Sequence, residues 1–277
     1  MIQDIYPLHL DNSFDPKAVP RPQDSVMLLS GKKIAAGSGS ELVFPSLAEL
    51  PDIKADRLVY LFRVGTEDYY LYDCDDLPEL PDGFSLRSLT ELREASSVPQ
   101  HRLFAAFTAK HLADWYRDNR FCGRCGAPTR FAGTKRTLVC PVCRNSIHPK
   151  IMPAVIVGVK NGDELLVTRY RTGFPHNALV AGFTEIGETL EETVSREVME
   201  ETGLKVCNIR YYKSQPWGTA GDILAGFWCE ADGSSEIRMD ARELGSAVWT
   251  RREDIVLQPD DASLTNEMLR MFRDGME

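Results

Sequence analysis

The sequence predicts an α+β protein in three parts. These are an N-terminal α+β domain over residues 1–119, a small cysteine module over 120–149, and a second domain of strands and helices over 150–277. Three observations carry this reading. Strand-like patterns precede two helical patterns before residue 119, two Cys-x-x-Cys pairs follow, and strand patterns resume after residue 150 around one acidic helical segment. A chain of 277 residues is long enough for two domains with a small insert.

In the first part, residues 25–30 and 41–46 read as short strands, and residues 57–73 as two strands around the turn Gly65-Thr66-Glu67-Asp68. Residues 85–95 and 99–120 read as helices. In the second of these, Phe104, Phe107, Leu112 and Trp115 form an apolar stripe of helical period. Residues 75–83, rich in Pro and Asp, read as a surface loop. His101 and His111 read as surface or packing residues, since no catalytic constellation surrounds them.

In the last part, residues 152–160 and 164–170 are strands around Asn161-Gly162-Asp163, and Asn-Gly is a strong hairpin signal. Residues 178–183, the acidic helix, and strands at 205–217, 223–231 and 246–251 follow. A final helix over 263–275 has Ser263 as its cap. A net charge of -9 argues against non-specific binding to nucleic acid or anionic membranes. No apolar run reaches the roughly 20 residues that span a bilayer. The N-terminus has no basic n-region and the C-terminus no retention signal, so a cytoplasmic location is expected.

Seven cysteines fit a disulfide framework poorly. Cys122, Cys125, Cys140 and Cys143 form two Cys-x-x-Cys pairs separated by 14 residues, close to the spacing of zinc ribbons. Two such bends bring four thiolates to one Zn²⁺ in a closed, structural site, with Gly123 and Gly126 easing the turns. A thioredoxin-like redox pair is the weaker reading. The basic residues Arg120, Arg124, Arg130, Lys135 and Arg136 could bind nucleic acid. They lack interleaved aromatics, so a domain staple is favoured. Cys74, Cys207 and Cys229 read as ordinary core or surface residues.

Residues 179–204 hold seven glutamates and one arginine. Like charges a turn apart repel, and a divalent cation would offset that repulsion. Gly203 reads as the C-cap of a helix starting near Thr189. On that helix Glu197, Glu200 and Glu201 share an arc of roughly 100°, beside the apolar residues Leu190, Val194 and Val198. Carboxylate oxygens are the hard ligands that Mg²⁺ or Mn²⁺ prefers. Glu191 and Glu192 read as plain solvated residues.

The spacing Gly182-x₅-Glu188-x₇-Arg196-Glu197-Val198-x-Glu200-Glu201-x-Gly203-Leu204 resembles the Nudix hydrolase signature at every defined position. With the cysteine pairs before it and Ser-Gln-Pro-Trp at 214–217 after it, the chain resembles the NADH pyrophosphatase family. That resemblance implies a Nudix α/β/α sandwich at 150–277. It further implies metal-dependent hydrolysis of the pyrophosphate of NAD(H) to NMN(H) and AMP, extending to NAD caps on RNA. Glu197, Glu200, Glu201 and Glu243, with the carbonyl of Ala181, would hold Mg²⁺ or Mn²⁺, and Arg196 would orient a glutamate. Phe183 and Trp217 would stack on the base or nicotinamide ring, and Gln215 would contact substrate. A homodimer is implied. Residues 218–222 depart from the family pattern, with Asp222 at a serine position. ADP-ribose, FAD or a dinucleoside polyphosphate is therefore an alternative substrate. A non-catalytic nucleotide-binding or nucleic-acid-binding protein is a further alternative.

Overall fold

The structure is a computed structural model that describes residues 1–37, 39, 42–74, 76–95, 98–173 and 175–277. Its contacts divide the chain into two compact units. One comprises Met1, Ile151–Trp217 and Asp222–Glu277; the other comprises Ile2–Lys150 and Gly218–Gly221.

The second of these holds β1 (Leu10–Asp11), β2 (Ser25–Met27), β3 (Leu29–Ser30), β4 (Lys33–Gly37), β5 (Leu58–Val64), β6 (Glu67–Tyr72) and β7 (Phe84–Ser88). Helices α1 (Leu89–Glu94) and α2 (Gln100–Asp118) follow, then three ribbon strands, β8 (Arg130–Phe131), β9 (Leu138–Val139) and β10 (Ser146–Ile147). Three sheets result, in the orders β1-β5-β6-β2, β3-β4-β7 and β10-β9-β8. The expected strand at 25–30 is broken at buried Leu28, so that β2 runs parallel to β6 while β3 pairs with β4. Residues 42–45 form no strand. Pro45 has no N–H for a ladder, although its carbonyl accepts from Val26 at 2.8 Å, and Ser46 makes a single bridge to Ser25. Glu41 and Asp75, at the ends of an expected strand and loop, lie outside the described residues. Phe104, Phe107, Leu112 and Trp115 are buried along α2, as the stripe predicts.

The other unit holds β11 (Met152–Asn161), β12 (Glu164–Tyr170), β13 (Val180–Phe183), α3 (Leu190–Thr202), β14 (Val206–Trp217), β15 (Asp222–Ala231), β16 (Leu244–Arg251) and α4 (Leu264–Arg273). The sheet runs β14-β15-β11-β12-β16, with β13 also on β11; β11 and β15 are parallel and the other pairs antiparallel. Alternation along β11 explains the layering. Val155, Val157 and Val159 face Val194 and Val198 of α3, while Ile156 faces Leu264, Met268 and Leu269 of α4. Each such side chain, fully buried, contributes about 1.5–3 kcal/mol. The result is a sheet between two helices.

Helix α3 is held at both ends by the sequence. Thr189 accepts from the Glu192 N–H at 3.2 Å, and the Glu192 carboxylate accepts from the Thr189 N–H at 2.7 Å. Glu192, expected to be merely solvated, is therefore half of a capping box. Gly203 adopts φ 71° as a left-handed cap and donates to the Met199 carbonyl. The last carbonyls, of Glu201 and Thr202, accept from the N–H groups of Asp240 and Arg238 at 2.9 and 2.8 Å.

Candidate active site

The C-terminal half of α3 carries two charge groups. The first centres on Arg196. Its Nε donates to Glu188 Oε1 at 2.6 Å, and its Nη1 donates to Glu197 Oε1 at 2.7 Å and Glu200 Oε2 at 3.0 Å. Its Nη2 donates to Glu188 Oε2 and the Phe183 carbonyl, both at 2.9 Å. This planar fork suits several carboxylates at once. Arg196, and then the Glu185 N–H, hold the Glu188 carboxyl at about 2. Gly182 makes room for this group. A Cβ built there would lie 1.9 Å from Glu197 Cδ, so any larger residue displaces that carboxylate.

The second group is Glu201 with Glu197 and Glu243. Glu201 is 3% exposed, and its Oε2 has no hydrogen-bond partner among the described residues. Burial first, then the charges of Glu197 and Glu243, push it up to about 8; the Ala181 N–H partly offsets this. Burial also raises Glu197, against the pull of Arg196. Tyr170, at the end of β12, faces the same charges and is pushed up to about 12, with burial the larger cause. Its place here was not legible in the sequence, because it depends on the pairing of Tyr170 with Leu244, beside Glu243.

Fit to a divalent cation follows from these observations. A buried carboxylate oxygen without a partner, surrounded by further carboxylates, lacks a positive charge. The donor set is all oxygen, as Mg²⁺ and Mn²⁺ require. The glutamates are not drawn together as tightly as the cysteines. Among the described residues, Cys122, Cys125, Cys140 and Cys143 are the one group of three or more such side chains whose ligand atoms all lie within 4.8 Å. Mutual repulsion, and the hold of Arg196 on Glu197 and Glu200, account for the spread.

The aromatic residues are placed by strand register. Trp217 pairs with Asp222 and Asp222 with Met152; two residues along β11, Ala154 pairs with Phe183. Paired residues share a face, so Trp217, Asp222 and Phe183 all lie on the α4 side of the sheet, with Trp217 and Phe183 three strand spacings across and two residues along, or about 16 Å apart. Phe183 is 48% exposed. Asp222 is buried, its Oδ1 has no partner among the described residues, and burial raises it to about 6. Gln215, expected to contact substrate, lies inside the fold. Its side chain is fully buried, its Oε1 accepts from the Leu264 N–H at 2.7 Å, and its Nε2 donates to the Ala262 carbonyl at 2.6 Å. Through these bonds it anchors the start of α4.

In the cysteine module the Sγ–Sγ distances Cys122–Cys143 and Cys125–Cys140 are 3.6 and 3.4 Å. Four thiolates around one zinc at about 2.3 Å stand roughly 3.8 Å apart, so the cluster is close to the metal-bound shape. The N–H groups of Arg124 and Cys143 donate to Cys122 and Cys140, holding both thiols below their ordinary range. Gly126, φ 74°, makes the first turn as expected. In the second turn the matching residue is Arg144, φ 60°, which nothing in the sequence marked.

Comparison with known proteins agrees with this geometry. Residues 150–272 match the family model described as the NUDIX domain, and residues 117–147 match the NADH pyrophosphatase zinc ribbon domain. Over these two stretches the chain is similar to Nudix proteins that carry this zinc ribbon. More particularly, it is 41% identical over 161 residues to a protein of Citrobacter koseri named NAD-capped RNA hydrolase NudC, covering 57% of this chain and 62% of that protein. The protein of the same name from Salmonella typhi is 40% identical over 161 residues, again with 57% and 62% covered. The match thus spans under two thirds of the curated relatives' length. Among solved structures, a NUDIX hydrolase from Nitrosomonas europaea aligns with TM-score 0.49 and 18% identity, covering 56% of this chain and 90% of that one.

Proposed function

We propose that the chain is a divalent-metal-dependent diphosphatase that hydrolyses the pyrophosphate of NAD(H) to NMN(H) and AMP and removes NAD caps from RNA. The observation that carries the proposal is Glu201, a buried carboxylate with an unpartnered oxygen, set among Glu197, Glu200 and Glu243 on a Nudix helix. The zinc ribbon and the relatives' names support the choice of dinucleotide.

In this reading the four glutamates and the Ala181 carbonyl hold Mg²⁺ or Mn²⁺. Bound there, the cation neutralises phosphate oxygens and supplies an activated water. Arg196 holds Glu188, Glu197 and Glu200 in place through its fork and does not touch substrate. Glu201 would serve as a ligand in its deprotonated form. Phe183 and Trp217 offer π-faces to the two ring systems, each worth about 1–3 kcal/mol. The four cysteines hold a structural Zn²⁺. The working unit is a cytoplasmic homodimer of chains divided at residues 119/120 and 149/150.

A second reading, ADP-ribose, FAD or a dinucleoside polyphosphate as substrate, draws on Asp222, whose buried carboxyl stands beside Trp217. A panel of these substrates with NADH and NAD⁺, assayed with Mg²⁺ and with Mn²⁺, distinguishes them. The proposal expects the highest kcat/KM on NAD(H). A preference of tenfold or more for another compound would transfer the assignment to it.

A further inference from the structure

In the unit formed by Ile2–Lys150, a groove of about 320 Å³ opens between the segment after β1, strand β5 and the ribbon. Its size falls within the roughly 300–1,000 Å³ usual for small-molecule sites. The hydrolase reading makes no use of it. Phe14, Tyr60 and Phe131 line it with aromatic surface, and Lys17 stands at its edge. Phe131 is 46% exposed although large and apolar, and it leans on the Tyr116 ring with centroids 5.5 Å apart. Lys17 forms no ion pair among the described residues. The one carboxylate in the lining, of Asp15, accepts from the Lys17 backbone N–H at 2.8 Å.

A second positive charge lies behind this wall. Arg136 sits over the Phe14 ring, its guanidinium 5.4 Å from the centroid. Its Nη2 donates to the carbonyls of Leu61 and Asn12. Its Nη1 is buried with no partner among the described residues, and so is the Tyr116 hydroxyl. No carboxylate among the described residues pairs with this guanidinium, and burial lowers its pKa from the ordinary range. A guanidinium taken out of water without a counter-charge is costly, and a nearby anion relieves the cost through space. The atom is covered, so it acts by its field and not by contact.

Aromatic walls, one free lysine and an uncompensated arginine together suit a planar ring that carries a negative charge. We infer that this groove binds a nucleoside 5′-phosphate, the base against Phe131 and Phe14 and the phosphate toward Lys17. The phosphate-bearing nucleotide can be free or the terminal residue of a short single strand, and the chemistry that recognises it is the same. The site is independent of the diphosphatase reading.

The test is photo-crosslinking of the full chain with 8-azido-AMP, followed by peptide mapping. AMP is also a product of the proposed hydrolysis, so label near α3 is uninformative and only groove peptides count. The expected result is label on peptides containing Phe14, Tyr60 or Phe131, chased by unlabelled AMP. Lys17→Ala and Phe131→Ala should each reduce it about tenfold, in line with the loss of one stacking or charge contact, while NADH turnover is unchanged. Chase by 5′-phosphorylated pentaadenylate at lower concentration than AMP identifies the strand end as the source; equal or weaker chase identifies the free nucleotide. Absence of groove label, or label insensitive to both substitutions, would overturn the inference. A chain that fails to hydrolyse NADH but labels in the groove would sink the diphosphatase reading alone.

Discussion

Glu201→Gln should make the metal-free protein more stable and the enzyme nearly inactive. The carboxyl is 3% exposed and is raised from 4.5 to about 8 by burial and by Glu197 and Glu243. Its folded pKa lies above its unfolded value, so the folded state holds the extra proton between these limits. Stability of the metal-free chain therefore falls as pH rises from about 4.5 to 8, and stays low above that. At roughly 1.4 kcal/mol for each pH unit, the cost at pH 9 has an upper bound of roughly 5 kcal/mol. Glutamine keeps an acceptor for the Ala181 N–H but carries no charge. Urea unfolding in chelator at pH 9 should therefore show the variant more stable than the parent by about 2–5 kcal/mol, and the two should converge near pH 4.5. With Mg²⁺ present, kcat/KM on NADH should fall by about two to three orders of magnitude, or roughly 3–4 kcal/mol of barrier. A variant that is less stable at pH 9 in chelator, or that keeps activity within about fivefold, would refute the reasoning.

Three further outcomes follow from the same geometry. Gly182→Ala should displace Glu197, at a strain cost of about 1–3 kcal/mol, and lower kcat on NADH while circular dichroism stays native; normal turnover would show that the seat of Glu197 is unimportant. Gln215→Ala leaves the Leu264 N–H and the Ala262 carbonyl unpaired, so unfolding should show a loss of about 1–3 kcal/mol with KM unchanged; a raised KM in an equally stable protein would restore Gln215 as a substrate contact. Trp217→Ala should raise KM for NADH with kcat less affected, because its ring binds away from the reacting phosphate; an unchanged KM would leave Trp217 a packing residue.

What the sequence made legible was mostly local. Helix α3 could be bounded because its ends need particular residues, and Thr189 and Gly203 supply them. The box of Thr189 and Glu192 is equally written in the order Thr-x-x-Glu, although the neighbouring acids mask it. The Ser263 cap on α4 follows the same rule, accepting from the Asn266 N–H at 3.1 Å. Non-local consequences were not legible. Gln215 is spent on residues 262 and 264, which only the packing of α4 brings near. Tyr170 reaches the acid cluster through strand register. The expected strand at 41–46 failed where a proline removed a ladder donor, a local signal that the apolar pattern outweighed. Arg144 adopts a left-handed backbone in the second cysteine turn, donating to the Cys140 carbonyl as Gly126 donates to the Cys122 carbonyl in the first.

The most direct test of the central claim is product analysis by mass spectrometry after incubation of NADH with the full chain and Mn²⁺ in ¹⁸O-water. Hydrolysis of the pyrophosphate predicts equimolar NMNH and AMP, with one ¹⁸O on one of the two phosphates, and no products when chelator replaces the metal. Release of nicotinamide with an intact ADP-ribose, or turnover that persists in chelator, would contradict the account.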